Sequence, residues 1–221
     1  GRPMSFFHSA ILGFARVRLH DTILLGRFGR KEREGRADFE REALEILDAL
    51  AFHPCIVAWV PFNEGWGQFH SARIAAAFAR RDPSRLVDAV SGWYDEGAGD
   101  FKSVHDYGKS PRAPGGRKGR AFALSEFGGL TLRIAEHSVD DKRQFGYHGA
   151  ADGAELGAKY GALLGRLRSL KARGLAASVY TQITDVEIER NGLLTYDRRA
   201  LKTDEKKIRA ANEALKEGMT R

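Results

Sequence analysis

From residue 36 onward, short apolar runs alternate with longer amphipathic stretches. Phe39, Ala43, Leu44, Ile46, Leu47 and Leu50 recur at helical spacing over 38–51, with Asp38 placed to cap the start. His53-Pro54 stops that helix. Cys55-Ile56-Val57-Ala58-Trp59-Val60-Pro61-Phe62 then runs apolar on both faces, the pattern of a buried parallel strand. A helix rich in small residues follows over 69–81 and ends at Asp82-Pro83. Apolar runs at 85–90, 101–105 and 121–125 read as further strands. The strongest helix covers 154–173, with Leu156, Tyr160, Leu163, Leu164, Leu167 and Leu170 on one face and Gly174 as its C-cap. A last strand at 175–182 leads into a long polar loop, and an amphipathic helix near 204–217 closes the pattern.

Alternation of strand and helix is the signature of a parallel α/β protein. Five strands are readable, whereas a complete (β/α)₈ barrel has eight and takes about 250 residues. The expected fold is therefore an incomplete (β/α)₈ TIM barrel over 36–221, holding about five of its C-terminal βα units. The Gly/Pro/Arg-rich stretches at 108–120 and 145–154 read as loops, because neither separates two independent cores. Residues 1–35 carry apolar patches without this periodicity and stay unassigned.

Composition narrows the classes. A chain of 221 residues, 43% of them hydrophobic, can bury one globular core. The net charge of +7 invites a nucleic-acid reading, but the basic residues are mostly arginines scattered among acids. Only 1–36 is clearly biased, with eight Arg/Lys against three Asp/Glu, and no basic stripe with interleaved aromatics appears. A basic nucleic-acid-binding domain is thus the weaker alternative. No apolar run approaches the roughly 20 residues of a membrane helix, so no membrane partner is expected. Nothing resembles a signal peptide, and an opening Gly1-Arg2-Pro3 leaves room for an upstream segment and leaves localisation open. The single Cys55 excludes an intrachain disulfide and a cysteine-built zinc site, and its apolar setting predicts a buried, inert thiol.

The candidate chemistry lies where polar residues interrupt the strands. Phe62-Asn63-Glu64-Gly65-Trp66-Gly67-Gln68 ends the first clear strand, and Leu124-Ser125-Glu126-Phe127-Gly128-Gly129 ends the fourth. In a parallel barrel both strand ends open onto one face, where active sites lie. Two carboxylates on that face suit glycosidic bond cleavage, which needs one carboxyl protonated and one ionised. A lone strand-end glutamate is more often a loop carboxylate. The pair, each with a Gly-rich turn and an aromatic neighbour, points to catalysis.

These motifs carry a resemblance. His53-Pro54 followed by Ile56 to Gln68 is similar to the acid/base motif of glycoside hydrolase family 2, which includes β-galactosidases, β-glucuronidases and β-mannosidases. Ser125-Glu126-Phe127-Gly128-Gly129 resembles the nucleophile motif of that family. Tyr180 to Glu187 and Asn191 to Arg198 resemble its eighth strand and following loop. The resemblance covers about 38–200, with the motifs in family order. It implies Glu64 as general acid/base, Glu126 as nucleophile and Asn63 as a hydrogen-bond partner of the sugar 2-hydroxyl. It also implies retention of configuration through a covalent glycosyl-enzyme, with the carboxyl groups about 5–5.5 Å apart.

Supporting positions follow. Ser91-Gly92-Trp93 and Val104-His105-Asp106-Tyr107 trail the second and third strands, in segments similar to those lining the family's pocket. His105 and Tyr107 are expected to bind sugar hydroxyls or orient Glu126, and Trp66 and Trp93 to stack on a pyranose. Asp185 and Glu187 suit a substrate or cation contact, or a solvated loop, and His53 a structural hydrogen bond. No spacing reads as a transition-metal site, and no cofactor is expected.

The leading expectation is a retaining β-glycosidase acting on terminal β-galactosides or β-glucuronides. A non-catalytic carbohydrate-binding remnant is the first alternative. Family members also carry β-sandwich domains and earlier barrel strands, expected here in a full-length form. Without them the strand edges would stand open and the isolated chain would be poorly stable or inactive.

Overall fold

In a computed structural model, the described residues are 21, 22, 30–65, 67–92, 94–109, 111, 112, 119–140, 143 and 145–217. Trp66, Trp93 and most of the unassigned N-terminal segment lie outside them. In chain order the elements are α1 (Arg33–Leu50), β1 (Ala58–Trp59), α2 (Ser71–Arg81), β2 (Leu86–Val87), β3 (Phe101–Asp106) and β4 (Ala121–Gly128). β5 (Leu130–Thr131), β6 (His148–Gly149), α3 (Gly153–Lys171), β7 (Leu175–Thr181) and α4 (Glu205–Lys216) complete them. The result is a mixed α/β fold with parallel pairing in β1–β2 and β5–β6. In strand order β4 stands between β3 and β7, and among the described residues no sheet closes into a ring.

The chain divides into two compact units, Gly1–His105 with Gly116–Ala123, and Asp106–Gly115 with Leu124–Arg221. The first unit has its core where Leu47, Trp59, Phe62, Phe69, Ile74, Phe78 and Val87 meet. Phe39 stacks on Phe62 at 5.1 Å, fixing α1 against the strand layer. The Asp82-Pro83-Ser84-Arg85 turn ties the layer together. Asp82 accepts the Trp59 indole N–H at 2.9 Å and an Arg85 N–H at 2.7 Å. Arg85 also donates to the Ile56 carbonyl at 2.9 Å and the Ala51 carbonyl at 2.6 Å. The Ser84 hydroxyl, then the Trp59 indole, hold the Asp82 carboxyl well below the usual carboxylate range.

Three expectations need correction here. α1 begins at Arg33 with Glu32 at its N-cap, so Asp38 lies inside the helix and pairs with Arg41 at 2.6 Å. Cys55 is exposed. The run 55–62 is not buried on both faces: Trp59 and Phe62 point inward, while Val57 is 74% exposed. The reason is pairing, since among the described residues β1 has β2 as its one neighbour, and the far edge carries no covering strand.

In the second unit, all six apolar positions predicted for the long helix are buried, Leu156, Leu167 and Leu170 completely. Asp152 caps α3 through the Glu155 N–H at 2.8 Å. Its C-cap is Ala172, and Gly174 takes the left-handed conformation just beyond. α4 packs along it, with Tyr160 and Asn212 hydrogen-bonded at 2.9 Å. The loop after β7 is pinned from inside: the buried Lys202 ammonium meets Asp185 at 2.5 Å and the Arg190 carbonyl at 3.0 Å.

Candidate functional site

The Glu64 centre belongs to the first unit and follows from strand register. Trp59 accepts from Asp88 N–H at 2.9 Å, and Phe62 from Ser91 N–H at 2.9 Å, the same offset. The two segments keep this offset beyond the assigned strands, which sets Glu64 beside Gly92. Gly92 has φ +139°, and a Cβ there would fall 3.0 Å from the Glu64 Cβ. Only glycine lets the carboxylate stand so close. β3 supplies the partner by alternation, since Ser103 and His105 are its two buried positions. The Ser103 hydroxyl lies 2.8 Å from Asp88, and two residues on His105 reaches Glu64 Oε2 with Nδ1 at 2.5 Å. Its Nε2 meets the Ser91 hydroxyl at 2.8 Å. The imidazole is fully buried, whereas the Glu64 side chain keeps 25% of its surface open.

The Glu126 centre belongs to the second unit. Glu126 is half-buried near the end of β4, and the Tyr107 hydroxyl donates to its Oε2. Burial first, then the Glu126 carboxylate beside it, push the Tyr107 phenol far above the usual tyrosine range, so it remains a donor. Tyr147 stacks on Tyr107 with centroids 3.9 Å apart and planes 6° from parallel. Gly129, at φ +62°, makes room for that stack, because a Cβ there would fall 2.5 Å from Tyr147 and 3.0 Å from Tyr107. Tyr147 and Leu130 also wall a cavity of about 360 Å³ whose rim carries Lys109, His148 and Lys159. Lys159 is engaged by the Gly149 carbonyl at 2.5 Å and by Glu155 at 2.7 Å.

The expected supporting residues divide. Tyr107 meets Glu126, while His105 meets Glu64. Asn63 is exposed beside Glu64. Asp185 is 5% exposed, with Oδ1 shared by Lys202 and the Gly192 N–H, and so anchors its own loop rather than standing in solvent. Trp66 and Trp93 are outside the described residues. Motif reading missed Tyr147, whose only signal is an aromatic in the Gly-rich stretch Phe145-Gly146-Tyr147-His148-Gly149. It also gave Ser91 no role.

No family model matches the chain, and no curated protein matches it in sequence. Among solved structures it is similar to an FMN-binding β-glucuronidase from Facaelibacterium prausnitzii L2-6. That likeness has 14% identity and a TM-score of 0.56, over 78% of this chain and 31% of that one. β-Glucuronidase 3 of Bacteroides uniformis is similar at 12% identity and TM-score 0.55, over 81% and 28%. The Parabacteroides merdae β-glucuronidase follows at 13% and 0.53, over 74% and 26%. The fold is glycoside hydrolase-like. The chain spans less than a third of the length of these neighbours.

Proposed function

We propose that the chain carries the catalytic residues of a retaining β-glycosidase of the family 2 kind, with Glu64 as acid/base and Glu126 as nucleophile. The observation that carries this reading is that the two carboxylates are held by partners of different proton character. Glu64 meets an imidazole, which can give or accept a proton, and Glu126 accepts from a phenol that burial holds protonated. Double displacement asks for that asymmetry, because one carboxyl must cycle its proton while the other stays ionised to attack the anomeric carbon. In the first half-reaction Glu64 protonates the leaving oxygen as Glu126 forms the glycosyl ester. In the second, Glu64 takes a proton from water, which cleaves that ester. Asn63, Trp66 and Trp93 are assigned to the sugar on the strength of the motif resemblance, and Asp185 to holding the loop that follows β7.

Terminal β-galactosides and β-glucuronides are the proposed substrates. The (β/α)₈ barrel belongs to the same proposal. Val57 and Val60 are exposed on either side of β1, which among the described residues pairs with β2 alone, and in this proposal further strands of a full-length form cover them. A panel of nitrophenyl β-glycosides tests the activity, and a 2-deoxy-2-fluoro glycoside tests the role. Mass spectrometry is expected to find the trapped sugar on the peptide bearing Glu126. Hydrolysis with the label on another carboxylate sinks the assignment, and sugar binding without turnover favours the carbohydrate-binding remnant.

A further inference from the structure

Ser91 ends a line of hydrogen bonds that begins at Glu64. Its Oγ lies 2.8 Å from His105 Nε2, and His105 Nδ1 lies 2.5 Å from Glu64 Oε2. A neutral imidazole has one N–H and one lone pair, so the ring can be wired in two ways. With the proton on Nδ1, the ring donates to Oε2 and Nε2 accepts from the Ser91 hydroxyl. With the proton on Nε2, the ring donates to Ser91, and Nδ1 requires a proton on Oε2.

The two arrangements differ in what Glu64 can do. An ionised carboxylate only accepts, so when Glu64 is ionised a neutral ring must carry its proton on Nδ1. When Glu64 regains a proton, that arrangement still serves, provided the proton sits on Oε1. In the reverse arrangement the proton sits on Oε2 and is spent on the ring. The tautomer therefore decides which oxygen holds the exchangeable proton.

We infer that Ser91 is a positioning residue for the acid/base step: its hydroxyl donates to Nε2, holds His105 as the Nδ1–H tautomer, and so confines the exchangeable proton of Glu64 to Oε1. The inference rests on the reading of Glu64 as acid/base. Two features fit Ser91 to this task. Its backbone N–H is fixed to the Phe62 carbonyl at 2.9 Å, which locks it to the strand that carries Glu64. It is 7% exposed, so bulk water competes poorly for Nε2.

The test is the ring itself, read from two-bond ¹H–¹⁵N correlation spectra of the ¹⁵N-labelled full chain. The wild type is expected to show His105 with Nδ1 protonated and Nε2 bare. Ser91→Ala is expected to shift the ring toward the Nε2–H form and to lower kcat on an alkyl β-glycoside about tenfold, with KM nearly unchanged. Ser91→Thr, which keeps the hydroxyl, restores both. Should Ser91→Ala fail to fold, Ser91→Cys, a weak donor, is expected to give an intermediate ring state. A wild-type ring protonated on Nε2, or a ring indifferent to losing the hydroxyl, overturns the inference. A wild type that cleaves no glycoside while its ring still answers to Ser91 overturns the glycosidase reading instead.

Discussion

Glu64 follows β1 and Glu126 lies near the end of β4, each with a glycine within two positions, and each is hydrogen-bonded to a side chain from the stretch 105–107. Their surroundings nonetheless differ in kind. Around Glu64 the hydrogen bonds run through a fully buried imidazole to a hydroxyl, a line whose protons can be redistributed. Around Glu126 the donor is a phenol that burial and the adjacent carboxylate keep protonated, backed by a stacked tyrosine. A permanent donor suits a carboxylate that must remain an anion until it attacks. A reversible partner suits one that must be acid and then base. On the proposed reading, the difference between the two roles lies in the partner of each carboxylate, not in the carboxylates.

That contrast can be broken most directly at Glu126. Glu126→Ala is expected to lower turnover by on the order of 10⁴-fold or more, measured on a nitrophenyl glycoside. Added azide is expected to rescue it by giving the inverted glycosyl azide, and a retained product would reverse the two roles. Glu64→Gln is expected to cost about 10²–10⁴-fold on substrates with poor leaving groups and much less in the first step with a nitrophenyl group. Equal losses on both leaving groups would remove Glu64 as the acid.

A second pair of substitutions sharpens the contrast between a closed core and an open edge. Leu167 is 0% exposed on α3, so Leu167→Ala is expected to cost about 2–5 kcal/mol in denaturant unfolding. Val57, 74% exposed just before β1, is expected to tolerate Ala within about 0.5 kcal/mol. A large loss at Val57 would show that something covers that edge in solution.

Legibility followed locality. The α3 face was readable because six apolar residues at helical spacing have one way to be buried together. The two carboxylates were readable because each stands where an apolar strand run turns polar. The run 55–62 misled, since hydrophobicity alone reports what a segment could bury and not whether a neighbour is present on each side. Tyr147 could not be found in this way, because its importance comes from stacking on a residue 40 positions earlier in the chain, Tyr107.

The order of elements, the apolar faces of the helices and the identity of the candidate carboxylates were all determined by the amino-acid sequence, because each depends on residues within a few positions of one another. Tertiary structure decided the partners. Register carried Glu64 to Gly92, alternation along β3 turned His105 toward Ser91 and Glu64, and a left-handed glycine admitted the tyrosine stack beside Glu126. Proton character is a property of neighbours a few ångströms away in space, and only the folded chain specifies who those neighbours are.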